Sequence, residues 1–423
     1  MKFFRSVFII LVFFSVVCFA QGEAAIIFLK LPPSPSLNSM GGVGTSLPGA
    51  DVYSFYYNPA HLANTETMGN LSFQFFPEKV DWMGRLTNNN MHLISTAATL
   101  GWTFNNLIPG FPFRLGLGYM NSAMNYGRSW WAVAPDAPED KDEYSTFGAA
   151  IGFDYLLSVQ IGLNYKDIKS TLTTTRNPAS SLAPNKAYTA KTTAMDYGIL
   201  VTASSSKLLN NPFDFNYRGN LTASPFLNLS VGYDQRNIGK EVSYGIMQAG
   251  SNDPIGRTAV LGYSLSAGID AELEKNDILN IFRIDWAIEA EDILIKERPE
   301  SFTGRTFEYQ TGIGDIDFGR NLIELKSSND VAVRKGVRFE VGEMVSISAG
   351  SFDGGRYISA QTSGFGLRTK GLFKVFRNTG KIMAFLADHV DIRYFNCSYF
   401  AGTELETQMK SVSINLYGIE NIF

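Results

Sequence analysis

Apolar and polar residues alternate along most of this chain. From Leu156 to Lys166, Leu157, Val159, Ile161, Leu163 and Tyr165 share one face, and Ser158, Gln160, Gly162, Asn164 and Lys166 share the other. A period of two over that length predicts a strand with one apolar and one polar side. The pattern recurs with Phe113, Leu115, Leu117 and Tyr119 against Arg114, Gly116 and Gly118. It recurs with Leu227, Leu229, Val231 and Tyr233 against Asn228, Ser230, Gly232 and Asp234, and with Leu261 to Ile269 against Gly262, Ser264, Ser266 and Gly268. Phe282, Ile284, Trp286 and Ile288 alternate with Arg283, Asp285 and Glu289, and Val337, Phe339 and Val341 alternate with Arg338 and Glu340. Charges opposite bulky apolar groups fit a barrel with a wet interior and a lipid-facing exterior.

Composition sharpens that reading. Charged residues are 18% and aromatics 13%, with 39 glycines, against about 25% charged residues in an ordinary soluble domain. No later apolar run is long enough for a spanning helix, so a membrane would be crossed by strands. The fold predicted is all-β, a transmembrane antiparallel barrel in the outer membrane of a Gram-negative (diderm) bacterium, with lipid as its surroundings. Residues 1–20 read as a cleaved export signal: Lys2 and Arg5, an apolar run from Val7 to Val17, then Cys18-Phe19-Ala20. Removing them leaves 36 − 2 = 34 basic against 40 acidic residues, net −6, which argues against a nucleic-acid partner. Cys397 then has no partner for a disulfide.

The connections Asn121 to Glu143, Lys169 to Thr193 and Lys296 to Val331 are long and polar and are assigned to the cell exterior. Trp130 and Trp131 are candidate contact residues in the first of them. The end of the chain, with Tyr417, Ile419 and Phe423 in step, matches a closing strand that serves as an assembly signal, although Val412, Ile414 and Leu416 lie on the opposite phase.

Residues 21–67 precede the first predicted strand and differ from everything after them. A barrel of residues 68–423 has 423 − 67 = 356 residues, or about fourteen strands at roughly 25 residues each. A lumen that wide is not filled by wall side chains. Gly41, Gly42 and Gly44 permit close backbone approach, Asn58 can cap a short helix with Pro59 as its first residue, and Tyr53, Tyr56 and Tyr57 can pack against a mixed wall. The segment is therefore expected to lie in the lumen as a hatch.

Enzymatic chemistry finds no footing. His61, His92 and His389 are scattered without carboxylates or cysteines at ligand spacing, Gly42-Val-Gly44 lacks a third glycine and a preceding strand, and Glu139 to Glu143 reads as a solvated acidic run rather than a calcium site. No catalytic residue, metal or cofactor is expected.

The order Phe28-Leu-Lys30, Ser-Met-Gly-Gly-Val-Gly at 39–44, Asp51 and Tyr-Asn-Pro-Ala-His-Leu-Ala at 57–63 resembles the amino-terminal signature of the PorV/PorQ-like proteins, a branch of the FadL-like outer-membrane barrels. Gly336 to Glu343 and Ser346 to Gly354 share the likeness. The resemblance implies a fourteen-stranded barrel with a luminal hatch, in which Met40, Gly41, Gly42 and Gly44 match the glycine-rich element and Asp51, Asn58, Pro59 and Ala60 match the hatch motif. Leu37 stands where relatives often carry an arginine, so a charge anchor for the hatch is expected to be missing. Two functions follow from the resemblance. The first is binding exported cargo, through its carboxy-terminal domain, or translocon partners in type IX secretion. The alternative is gated transport of long-chain fatty acids or other hydrophobic small molecules.

Overall fold

A computed structural model describes residues 24–49, 51–64, 69–87, 90–104, 112–127, 139–173, 187–209, 215–217, 221–244, 253–274, 277–298, 306–355 and 357–418. Fourteen antiparallel strands form a closed ring. They are β1 (Leu71–Phe75), β2 (His92–Thr103), β3 (Phe113–Gly127), β4 (Asp140–Asp154), β5 (Leu157–Thr173), β6 (Ala187–Ser204) and β7 (Leu221–Gly239), followed by β8 (Thr258–Glu274), β9 (Asp277–Ile293), β10 (Val331–Val341), β11 (Val345–Gly354), β12 (Tyr357–Arg368), β13 (Val390–Tyr399) and β14 (Thr407–Leu416). Each pairs with its sequence neighbours. The ring closes where Leu71 to Phe75 pair with Leu416 to Val412 on one side and Leu100 to Thr96 on the other. Closure leaves no free edge, which is what lets a sheet cross lipid.

The alternation sorts as the sequence requires. Phe73, Leu117, Phe147, Ile161, Ile199, Leu229, Trp286, Phe339 and Phe365 are exposed on the outside. Gln74, Gln160, Asn164, Lys166, Asp196, Asp234 and Asp285 on the other face are buried. An uncovered apolar belt on a closed barrel places the chain in an outer membrane.

Two loop expectations change. Asn121–Gly127 and Asp140–Glu143 belong to β3 and β4, and Lys169–Thr173 and Ala187–Thr193 belong to β5 and β6. Strands β5 to β9 run 17 to 19 residues, whereas about 9–11 cross the bilayer. The excess stands above the membrane, where outward residues such as Lys141 and Lys169 are polar too and the apolar–polar alternation fades. Within the stretch from Lys296 to Val331 the described residues are also structured. Ile295–Arg298 pairs with Thr306–Tyr309, and Thr311–Leu325 folds down over the outside of the barrel. There Tyr233 Oη donates to the Gly312 carbonyl at 2.9 Å and Tyr263 Oη to the Leu322 carbonyl at 3.1 Å. Ile288, expected to face lipid, is instead packed with Ile316, Leu322 and Val331.

Both Asn70 and Tyr417 lie at the end of the ring where three of the six connections are only two or three residues long, such as Tyr155–Leu156 and Gly342–Met344. Short turns mark the periplasmic end; the long connections face outward. Residues 1–23, Trp130, Trp131, Ile419 and Phe423 lie outside the described residues. The closing strand β14 turns Val412, Ile414 and Leu416 outward or half outward and ends before Tyr417, whose hydroxyl accepts from Arg393 Nη2 at 2.8 Å at the lumen rim.

Candidate functional site

Residues 24–49 and 51–64 sit inside this ring. Their short elements are a 3-10 turn at Ile27–Lys30, helical turns at Pro35–Asn38 and Ser54–Tyr57, and a 3-10 turn at Pro59–Ala63. Local sequence sets two of them. Ser34 Oγ accepts from the Leu37 amide at 3.0 Å with Pro35 as the first helical residue, and Asn58 Oδ1 accepts from the Ala60 amide at 3.0 Å with Pro59 next in line. Met40, Asp51, Asn58, Pro59 and Ala60 are all buried.

The tightest tie is a backbone nest around a wall carboxylate. Glu289 Oε1, on β9, accepts from the amides of Gly44, Thr45 and Ser46 at 2.9, 2.7 and 3.0 Å. Three consecutive N–H groups converging on one anion form a strong, directional grip. Charge does anchor the plug, then, but from the wall: Leu37 is fully buried, while Arg338 Nη1 donates to Ser36 Oγ and Arg334 Nη1 to the Gly41 carbonyl, both at 3.3 Å. The expectation of a missing anchor is corrected. The counter-ions are on the wall too, Asp285 for Arg338 at 2.7 Å and Glu291 for Arg334 at 2.9 Å.

The remaining motif residues spread the attachment around the ring. The Gly41 amide donates to Thr362 Oγ1 at 2.8 Å on β12. Gly41 and Gly42 have φ of +83° and +76°, and a Cβ on Gly41 would stand 2.7 Å from the Lys335 and Ser351 carbonyls, so only glycine fits that passage. Asp51 accepts from Ser34 Oγ at 2.5 Å and Gln74 Nε2 at 3.1 Å, joining the plug to β1. Asn58 Nδ2 donates both to the Thr45 carbonyl at 2.9 Å and to the Ile199 carbonyl of β6 at 3.0 Å. Tyr56 lies beneath two wall cations, Lys166 at 5.4 Å and Arg236 at 5.7 Å from its ring.

Sequence reading missed the seat itself. In register across the wall, Gly116 faces Ala150, Ala150 faces Gly162, and Gly162 faces Gly198. Farther round, Gly232 faces Gly262, Gly262 faces Glu289, and Gly336 faces Gly350. A Cβ on Gly116 would overlap the Leu62 carbonyl, on Gly162 the Pro59 carbonyl, on Gly198 the Asn58 side chain, on Gly232 the Thr45 carbonyl, and on Gly336 or Gly350 the Met40 backbone. The plug backbone thus rests on a belt of inward positions that are mostly glycine, interrupted by Ala150 and Glu289. The available signal was glycine recurring on the polar phase of successive strands, as at Gly162 on β5, Gly198 on β6 and Gly232 on β7.

Above and below the plug the lumen differs. Toward the long loops, inward wall residues Met120, Met124, Tyr144, Ile168, Tyr399 and Met409 pack with Phe28, Phe76 and Trp82 in one apolar cluster. Toward the short turns lies a cavity of about 920 Å³ walled by charge. Arg368 bridges Glu340 at 2.6 Å and Asp391 at 3.0 Å, and Arg283 pairs with Asp285 at 2.7 Å. Lys370 stands 3.9 Å over the Tyr417 ring, its ammonium pushed down to about 8 by burial and by Lys374.

The three histidines stay apart. His61 Nε2 meets the Gly44 carbonyl, His92 pairs with Asp81, and His389 Nδ1 meets the Tyr417 carbonyl. Among the described residues no three His, Cys, Asp or Glu side chains gather as a metal site.

No protein-family model matches the chain, and no curated protein matches it. Solved structures similar to it over most of its length include the Pseudomonas putida toluene transporter TodX, at 10% identity and TM-score 0.41, with 91% of this chain and 97% of that one covered. They also include the CymD monoaromatic hydrocarbon channel, at 13% identity and TM-score 0.36 with 90% and 96% covered. A Pseudomonas aeruginosa FadL homologue matches at 10% identity and TM-score 0.35, covering 91% and 96%.

Proposed function

We propose that this chain is a gated passage for small apolar molecules across the outer membrane, with residues 24–64 as the gate. The carrying observation is an apolar cluster where plug and wall meet. Barrel interiors are ordinarily polar, yet in the half nearest the long loops Met120, Met124, Tyr144 and Ile168 pack as an apolar cluster against the plug's aromatic residues, beside the paired charges Lys166 with Asp196 and Arg334 with Glu291. Such a cluster gives an apolar solute a surface to follow between plug and wall. The charged cavity beneath the plug is the wet exit, where an apolar solute has no reason to stay. Methionine side chains adapt to solutes of varied shape, so the reading is of a class of molecule rather than one compound.

The cargo-receiving reading in type IX secretion has no comparable observation in its favour, since Trp130 and Trp131 lie outside the described residues. Uptake of the apolar fluorophore N-phenylnaphthylamine by cells producing the chain tests the transport reading. Its rate should exceed that of cells lacking the chain by about tenfold, which corresponds to about 1.4 kcal/mol of barrier, with no gain for a sugar of similar mass. Equal uptake in both strains would reject it.

A further inference from the structure

The connection from β12 to β13 departs from the short turns at its end of the barrel. It forms a helix at Lys370–Val375, a 3-10 turn at Arg377–Thr379 and a second helix at Lys381–His389. One side is fastened to the barrel. The Gly371 amide donates to the Glu343 carbonyl at 3.2 Å, and the backbones lie so close that a Cβ on Gly371 would overlap the Gly342 carbonyl. Lys374 Nζ pairs with Glu343 at 2.6 Å and donates to the Ile278 carbonyl at 2.5 Å.

The other side is apolar and uncovered. Leu372 is 45% exposed, Val375 53%, Phe376 47%, Ile382 77% and Phe385 52%. A contiguous patch of this kind marks a contact surface. It begins where the lipid-facing belt ends: Leu367 on β12, Val341 on β10 and Ile392 on β13 are exposed outward residues at this end of their strands. Lys374 and Arg377 are already paired with Glu343 and Asp388, and Lys370 stands over Tyr417, so the apolar residues rather than charge set the preference. Exposed apolar side chains on a short helical pair suit the interface of a phospholipid leaflet.

We infer that Lys370–His389 lies in the headgroup plane of the periplasmic leaflet, with Leu372, Val375, Phe376, Ile382 and Phe385 among the acyl chains. The segment widens the barrel's grip on that leaflet next to the mouth of the charged cavity. This rests on the outer-membrane placement and not on the transport reading.

The test uses the full chain with Cys397→Ser, whose own labelling must be nil. Ile382→Cys and, as an aqueous reference on the long-loop end, Glu308→Cys are each labelled with NBD. The proteins are reconstituted in vesicles of phosphatidylethanolamine and phosphatidylglycerol with or without dibrominated acyl chains. Folded barrel is selected by its heat-modifiable migration. The Ile382 probe should emit to the blue of the Glu308 probe, be quenched by brominated lipid and resist iodide. An Ile382 probe quenched by iodide like Glu308 and indifferent to brominated lipid would overturn the inference. So would one shielded from both quenchers, because a protein surface would then be its cover.

Discussion

Glu289→Ala opens the lumen: single-channel conductance of the variant in planar bilayers rises at least about tenfold over the parent. The three amides of Gly44, Thr45 and Ser46 converge on this one carboxylate. Removing one partner of a buried charged network costs about 3–5 kcal/mol, because three amides are left facing an apolar methyl. That loss falls on plug docking rather than on the wall, since the β8–β9–β10 ladder is made by backbone groups. Glu289→Gln keeps an acceptor oxygen without its charge and should give a smaller rise. Heat-modifiable migration checks that each barrel is closed. A conductance unchanged in Glu289→Ala would mean that packing alone holds residues 24–64 in place.

Gly162→Val and Gly116→Val displace the plug by a different route. The added side chains overlap the Pro59 and Leu62 carbonyls, which are backbone and have no rotamer to yield. The strands themselves accept valine, a good β-former, so the strain is taken up by the guest segment. Overpacking costs about 1–3 kcal/mol even where neighbours can adjust. Trypsin reports the outcome, because Lys30 is the one basic residue between positions 24 and 64. Cleavage after Lys30, giving an amino terminus at Leu31, should speed up by about a hundredfold in the double variant, or about 2.7 kcal/mol. Gly380→Val, at a glycine with nothing within 4 Å, should leave it unchanged. A double variant as resistant as the parent would show that these glycines do not form the seat.

Much of the wall could be read from the sequence because its cause is local. Leu157 to Lys166 alternates since lipid and lumen demand opposite chemistry at successive residues, and the structure sorts those side chains accordingly. Asn58-Pro59 was legible for the same reason: a cap and its first helical residue are adjacent. Asp140 to Glu143 was lost to a loop because above the membrane the outward residues Lys141 and Glu143 are polar as well, while Asp142 turns inward. Ile288 was assigned to lipid because nothing in its own strand announces that Leu322 will fold over it. The plug's attachments were invisible for a stronger reason. Glu289 lies 245 residues from Gly44, and Gly162 looks like any small inward residue until Pro59 is set against it. Leu37 illustrates the same limit. Its lack of charge suggested a loose hatch, yet the anchoring charges arrive from Arg334, Arg338 and Glu289 on the wall.

The central claim is that residues 24–64 must move for an apolar solute to pass. Ser39 Oγ and Ser348 Oγ are 2.5 Å apart across the plug–wall boundary, which makes Ser39→Cys with Ser348→Cys a lock when combined with Cys397→Ser. Uptake of N-phenylnaphthylamine is measured in cells bearing this variant, oxidised and then reduced. Uptake should fall to the level of cells without the chain when the disulfide forms and return when it is reduced. Equal uptake in the locked and reduced states would contradict the gate.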